Sequence, residues 1–139
     1  MKLKWLNFVL ATVLIAGFFN VGSLAATTAT AAVTPAVTVA GGKVFIHTAV
    51  SNLSQTNQAV TVTLNLTNPG TCVSGQLPSH AGAFAFGLRR NESRLADLSL
   101  DVPPSACSGT YGVTVTVKSN SRTVLATHTA KFNVTIPAP

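Results

Sequence analysis

The chain has 139 residues, 47% of them hydrophobic and only 9% charged, with a formal net charge of +6. That length suits one domain, and high hydrophobicity with few charges excludes a disordered chain. The cations surviving removal of an export signal, Lys43, Arg89, Arg90, Arg94, Lys118, Arg122 and Lys131, form no basic stripe with aromatics, which argues against a nucleic-acid partner.

In chain order, the first element reads as a signal peptide over residues 1–25. Lys2 and Lys4 precede an apolar run over residues 6–19, and Ser23 and Ala25 supply the small side chains a signal peptidase reads. Ala29 and Ala31 mark a second cleavage site. An uncleaved anchor would need about twenty apolar residues, whereas this run contains Asn7 and stops at Asn20. No second apolar run follows, so the mature chain is expected to have no membrane span and to be secreted or periplasmic. Residues 26–32, a Thr/Ala tract, read as a flexible leader, and the folded domain is placed at residues 33–139.

Within that domain the signal is alternation of apolar and polar side chains, the period of a half-buried strand. Val37 and Val39 begin one strand. Gly41-Gly42 then turns the chain into a second, carrying Val44, Ile46, Thr48 and Val50 on one face. Val60, Val62, Leu64 and Leu66 make the third, closed by Asn68-Pro69-Gly70. Phe84, Phe86 and Leu88 predict a short edge strand in a Gly-broken region. Ala96, Leu98, Leu100 and Val102 form the fifth strand, Tyr111, Val113, Val115 and Val117 the sixth, and residues 124–136 the seventh. About seven strands, with no helical periodicity between them, predict an all-β antiparallel sandwich. Cys72 and Cys107 are the two cysteines, and an even count in an exported chain predicts a disulfide between them.

The segment Gly109-Thr110-Tyr111-Gly112-Val113-Thr114-Val115 resembles the start of the sixth strand in the immunoglobulin-like superfamily, particularly its bacterial adhesion-related and fibronectin-III-like modules. Leu98-Ser99-Leu100-Asp101-Val102-Pro103 resembles the strand before it. The resemblance implies an immunoglobulin-like sandwich in which Tyr111 determines the fold, its hydroxyl bonding back to the preceding loop. Val113 stands where an antibody-type domain has its second cysteine, and the single Trp, Trp5, lies in the signal, so an antibody-type core is excluded.

Chemistry-bearing residues are few. His47, His80 and His128 accompany no Cys or Met in a copper-like set, so no metal or other cofactor is expected. Glu92, Asp97 and Asp101 are the only carboxylate side chains, and no G-x-S-x-G, H-E-x-x-H or phosphate-binding loop is present, which points away from an enzyme. Four Asn-x-Ser/Thr matches begin at Asn52, Asn65, Asn91 and Asn133 and are assigned no function. The candidate interaction surface is Phe84, Phe86, Arg89, Arg90 and Arg94, because aromatics and arginine are enriched at interfaces. The expected function is a monomeric, non-catalytic binding or adhesion module with a protein or envelope-glycan ligand. The alternative is a pilin-like subunit assembling by strand exchange.

Overall fold

The computed structural model describes residues 27–137. The expected signal peptide, with its expected cleavage site and Trp5, lies outside the described residues. The described residues form eight strands: β1 (Thr27–Thr34), β2 (Val37–Val39), β3 (Lys43–Asn52), β4 (Gln58–Thr67), β5 (His80–Leu88), β6 (Ser93–Asp101), β7 (Gly109–Ser119) and β8 (Val124–Thr135). They form two sheets, one of five strands in the order β2-β8-β7-β4-β5 and one of three in the order β1-β3-β6. All neighbours are antiparallel except β2 and β8, which run parallel.

The period-two pattern determines what each strand buries. Val44, Ile46 and Val50 of β3, Val60, Val62, Leu64 and Leu66 of β4, and Tyr111, Val113, Val115 and Val117 of β7 are all buried. Together with Val33, Phe132 and Val134 they form one core shared by both sheets. Their polar neighbours, such as Thr61, Asn65 and Thr67, stay on the opposite face. Each large aliphatic side chain so buried contributes about 1.5–3 kcal/mol, and β-branched residues suit the pleat.

One expectation needs correction. The tract read as a flexible leader, residues 26–32, is from Thr27 onward most of β1, and the domain therefore begins before residue 33. Thr27, Ala29, Ala31 and Val33 face inward, and β1 pairs with β3 from Thr27↔Asn52 to Thr34↔Phe45. Small side chains suffice there because the ladder, not the apolar content, holds the strand. Gly41-Gly42 makes the expected tight turn, Gly42 N–H donating to Val39 O at 2.8 Å, and carries the chain from β2, paired with β8, to β3 in the other sheet. Gly41 adopts φ 92°, a conformation that glycine reaches without Cβ strain, and its N–H bonds to Val102 O at 2.8 Å.

One end of the domain is closed by the disulfide. Cys72, in the loop after β4, and Cys107, in the loop before β7, are bonded with their Cα atoms 5.7 Å apart. Asn68 reinforces this end: its side-chain carbonyl accepts the Leu77 N–H at 2.8 Å, and its amide donates to Leu77 O at 2.9 Å. Leu77 is thereby held in the core, although its own segment has no strand. The Tyr111 hydroxyl donates to Cys107 O at 2.8 Å, and its ring stacks on Phe132 with centroids 5.2 Å apart. Burial raises the Tyr111 pKa above its ordinary value, against a smaller opposing effect of the Cys107 hydrogen bond.

Candidate functional site

At the end of the domain away from the disulfide, the chain leaves β5, turns through residues 89–92 and enters β6. These two strands are edges of different sheets, so the turn crosses the open side of the domain. Asn91 takes φ 61°, a left-handed conformation that asparagine tolerates, and Glu92 N–H donates to Arg89 O at 3.0 Å. Glu92 closes the turn from the other side, accepting the Arg89 N–H on Oε1 at 2.7 Å. Its second oxygen lies 3.6 Å from Arg94 Nη2. The Arg89 hydrogen bond, with a smaller contribution from Arg94, holds the Glu92 carboxyl below the usual carboxylate range.

The residue that anchors this corner is Asn52, at the end of β3 and fully buried. Its amide donates to Thr56 O at 2.9 Å, Arg89 O at 3.1 Å and Leu88 O at 3.2 Å. Its carbonyl accepts the Ser54 N–H at 3.0 Å and the Ser54 hydroxyl at 2.6 Å, while its backbone N–H donates to Glu92 O at 2.9 Å. A buried side chain satisfied on every side is a structural peg. The sequence singled out Asn52 only as the first residue of an Asn-x-Ser match, and its amide is already engaged. The only local sign of this role was the Asn-Leu-Ser spacing, which permits the Asx turn.

The expected surface residues are brought together in part. Phe84 and Phe86 lie on the inward face of β5, half-buried against the core. Arg94, the second residue of β6, places its guanidinium 5.3 Å from the Phe86 ring centroid, a cation–π contact. A shallow cleft of about 600 Å³ is lined by Arg89, Glu92, Arg94, Leu88, Asn57 and Gln58, among others. Arg90 lies outside that lining, its backbone N–H bonded to Asn57 Oδ1 at 3.3 Å, and Phe84 sits one pleat farther along β5. Arg89 and Arg90 are exposed and belong to no ion pair among the described residues.

A second arrangement occupies the outer face of the three-stranded sheet. His47 Nε2 lies 2.8 Å from Thr34 Oγ1, and His47 Nδ1 lies 3.2 Å from Asp97 Oδ1. Hydroxyl, imidazole and carboxylate are thus connected in the order a hydrolase uses. The His47 and Asp97 side chains are 45% and 60% exposed and border a shallow cleft of about 290 Å³ that Thr30, Thr48 and Leu95 also line. Cross-strand polar pairing accounts for the arrangement. Asp97 and Asp101 are divided between separate pairs on that face, Asp101 lying 3.4 Å from Lys43 Nζ. Among the described residues no three His, Cys, Asp or Glu side chains converge to hold a metal ion.

Two sheets, one disulfide and a corner carrying Arg89, Arg90 and Arg94 define an all-β domain. The sequence matches no protein-family model and no curated protein. Its fold resembles that of a CARDB domain from Pyrococcus furiosus solved with two metal ions, at a TM-score of 0.55 and 16% identity, covering 83% of this chain and 97% of that one. It is also similar to part of a β-glucosidase from Erythrobacter marinus (TM-score 0.58, 12% identity, 74% of this chain) and of an alkylpurine DNA glycosylase from Pseudomonas fluorescens (0.58, 18%, 82%). This chain spans 14% of the glucosidase and 32% of the glycosylase. At these identities the likeness concerns fold alone.

Proposed function

We propose that this chain is an exported immunoglobulin-like β-sandwich that acts as a non-catalytic binding module of the cell envelope or extracellular space. The disulfide supports export, because such bonds persist in oxidising compartments. Among the described residues no helix is long and apolar enough to cross a membrane. The strand order and the Tyr111 hydrogen bond support the sandwich reading, as does the likeness to the CARDB domain.

The observation that carries the binding reading is the corner itself. Arg89 and Arg90 stand free beside a cleft, and Arg94 covers Phe86 on an edge that no other strand pairs. A surface kept only for solubility would not need a buried asparagine to fix the backbone beneath its arginines. The test is retention of the purified mature protein on envelope fractions of the producing cell. Unaltered protein is retained and the Arg89→Glu/Arg90→Glu protein is not; equal retention of both removes the proposal.

A pilin-like subunit is the weaker reading. β1 is already paired with β3 within its own domain, so residues 27–34 are not a free strand to donate to a neighbour. Size measurement separates the two readings, a ladder of polymers favouring the subunit.

A further inference from the structure

The four sheet edges among the described residues are not equally protected. β2 has only three residues and follows Pro35. β1 lies against β8, where the Ala31 N–H donates to His128 Nδ1 at 3.1 Å. β6 carries Arg94, Asp97 and Asp101 along its length, and charges of this kind discourage a foreign strand. β5 has none of these devices. Its nine residues, His80–Leu88, contain no Pro, no Asp or Glu and no Lys or Arg. A strand of that length presents an edge of about 30 Å on which alternate residues have unpaired N–H and C=O groups.

The side chains beside this edge are suited to an incoming strand. Phe84 and Phe86 are half-buried, and Leu98 and Leu100 of β6 lie half-buried across the opening between the sheets. Gly82 brings the two strands close, since a Cβ there would stand 3.2 Å from Leu98 Cδ2. At the C-terminal end of β5 the charge is positive: Arg89 and Arg90 belong to no ion pair among the described residues, and Arg94 shares Glu92 with the turn.

We propose that β5 receives an extended peptide strand from a partner protein, with apolar side chains alternating along it and acidic residues at the end that meets Arg89 and Arg90. This deepens the binding reading above and rests on it. The ladder to β5 supplies affinity, the phenylalanine-lined opening takes alternate side chains, and the arginines set the direction in which the strand lies. The chain's positive charge supports an acidic partner over a second copy of itself.

The test uses the full mature protein and a synthetic peptide of alternating valine and threonine ending in a pair of aspartates. Amide hydrogen exchange is followed by NMR with and without this probe. The proposal predicts binding with at least about tenfold slower exchange at alternate amides of β5, and unchanged exchange in β6. Arg89→Glu/Arg90→Glu weakens binding at least about tenfold, and added salt weakens it progressively. Because proline in β5 would risk unfolding the strand, the exchange pattern of the unaltered protein carries the conclusion.

Four results would overturn the proposal: no binding of the acidic peptide, equal binding of a lysine-ended peptide, binding that leaves β5 exchange unchanged, or β5 amides already protected in a dimer of the free protein. Envelope retention that depends on Arg89 and Arg90, combined with any of these, leaves the binding module standing and removes only strand addition. Loss of that retention dependence removes the module itself.

Discussion

Replacing Tyr111 with Phe deletes one oxygen from the domain and leaves the ring, its stack on Phe132 and its burial in place. What is lost is the 2.8 Å hydrogen bond to Cys107 O, which ties the start of β7 to the residue that carries the disulfide. A neutral hydrogen bond of this kind contributes about 0.5–1.5 kcal/mol net, and an acceptor left without a partner adds a desolvation cost. Cys107 is half-buried, so water recovers part of that cost. The expected destabilisation is about 1–2 kcal/mol. Urea unfolding of the mature protein with its disulfide intact is the assay, and the midpoint should fall with no change in slope. The pH dependence gives a second reading. Because the folded Tyr111 pKa is raised, its stabilisation is complete below the unfolded value of about 10 and is lost as pH rises through the folded value. The Phe variant should therefore lack that alkaline loss. An unchanged midpoint together with an unchanged alkaline profile would refute the role assigned to this hydroxyl.

Three further outcomes follow from the same structure. Removing the bridge with Cys72→Ala/Cys107→Ala frees a loop with a sequence separation of 35, and chain entropy alone predicts a loss of roughly 3–4 kcal/mol, read as a lowered thermal midpoint. The Thr48 hydroxyl is buried with no partner among the described residues, so Thr48→Val should raise stability by about 1–2 kcal/mol, and a fall in the urea midpoint would show that the hydroxyl is satisfied. Asn52→Ala removes the amide that donates to Thr56 O, Leu88 O and Arg89 O and leaves a cavity in its place, while Arg89 O keeps the Glu92 N–H and Thr56 O the Ser54 hydroxyl; it should cost about 2–4 kcal/mol and speed amide exchange over residues 88–92 ahead of the rest of the domain.

Much of the fold is legible in the sequence where one face of a strand is apolar throughout. β3, β4, β7 and the second half of β8 bury alternate residues, and the pattern locates them. β1 escapes because its inward positions are Thr27, Ala29 and Ala31 before Val33, and such side chains give almost no contrast with their neighbours. What makes it a strand is pairing with β3, which lies about twenty residues away and is invisible to local periodicity. Gly41-Gly42 shows the same limit: the turn is legible in the sequence, but that it carries the chain from one sheet to the other depends on the parallel pairing of β2 with β8.

The candidate site divides in the same way. Arg89, Arg94 and Phe86 stand out by residue type, but the peg beneath them does not. Asn52 bonds residues 36 and 37 positions away, so its role belongs to the folded chain and not to any short segment. The His47–Asp97 pair is also a product of strand register, His47 lying directly opposite Asp97 across β3 and β6.

The corner between β5 and β6 is the ligand-binding surface proposed for this domain. A saturation isotherm of the mature protein on envelopes of the producing cell tests it most directly, with Lys118→Glu/Arg122→Glu as a charge-matched control. These two cations lie elsewhere on the surface, on β7 and in the turn after it. The account predicts saturable binding that weakens at least about tenfold in Arg89→Glu/Arg90→Glu and is unchanged in the control. Equal weakening in both variants would show that net charge alone governs attachment, and would contradict the assignment of the corner.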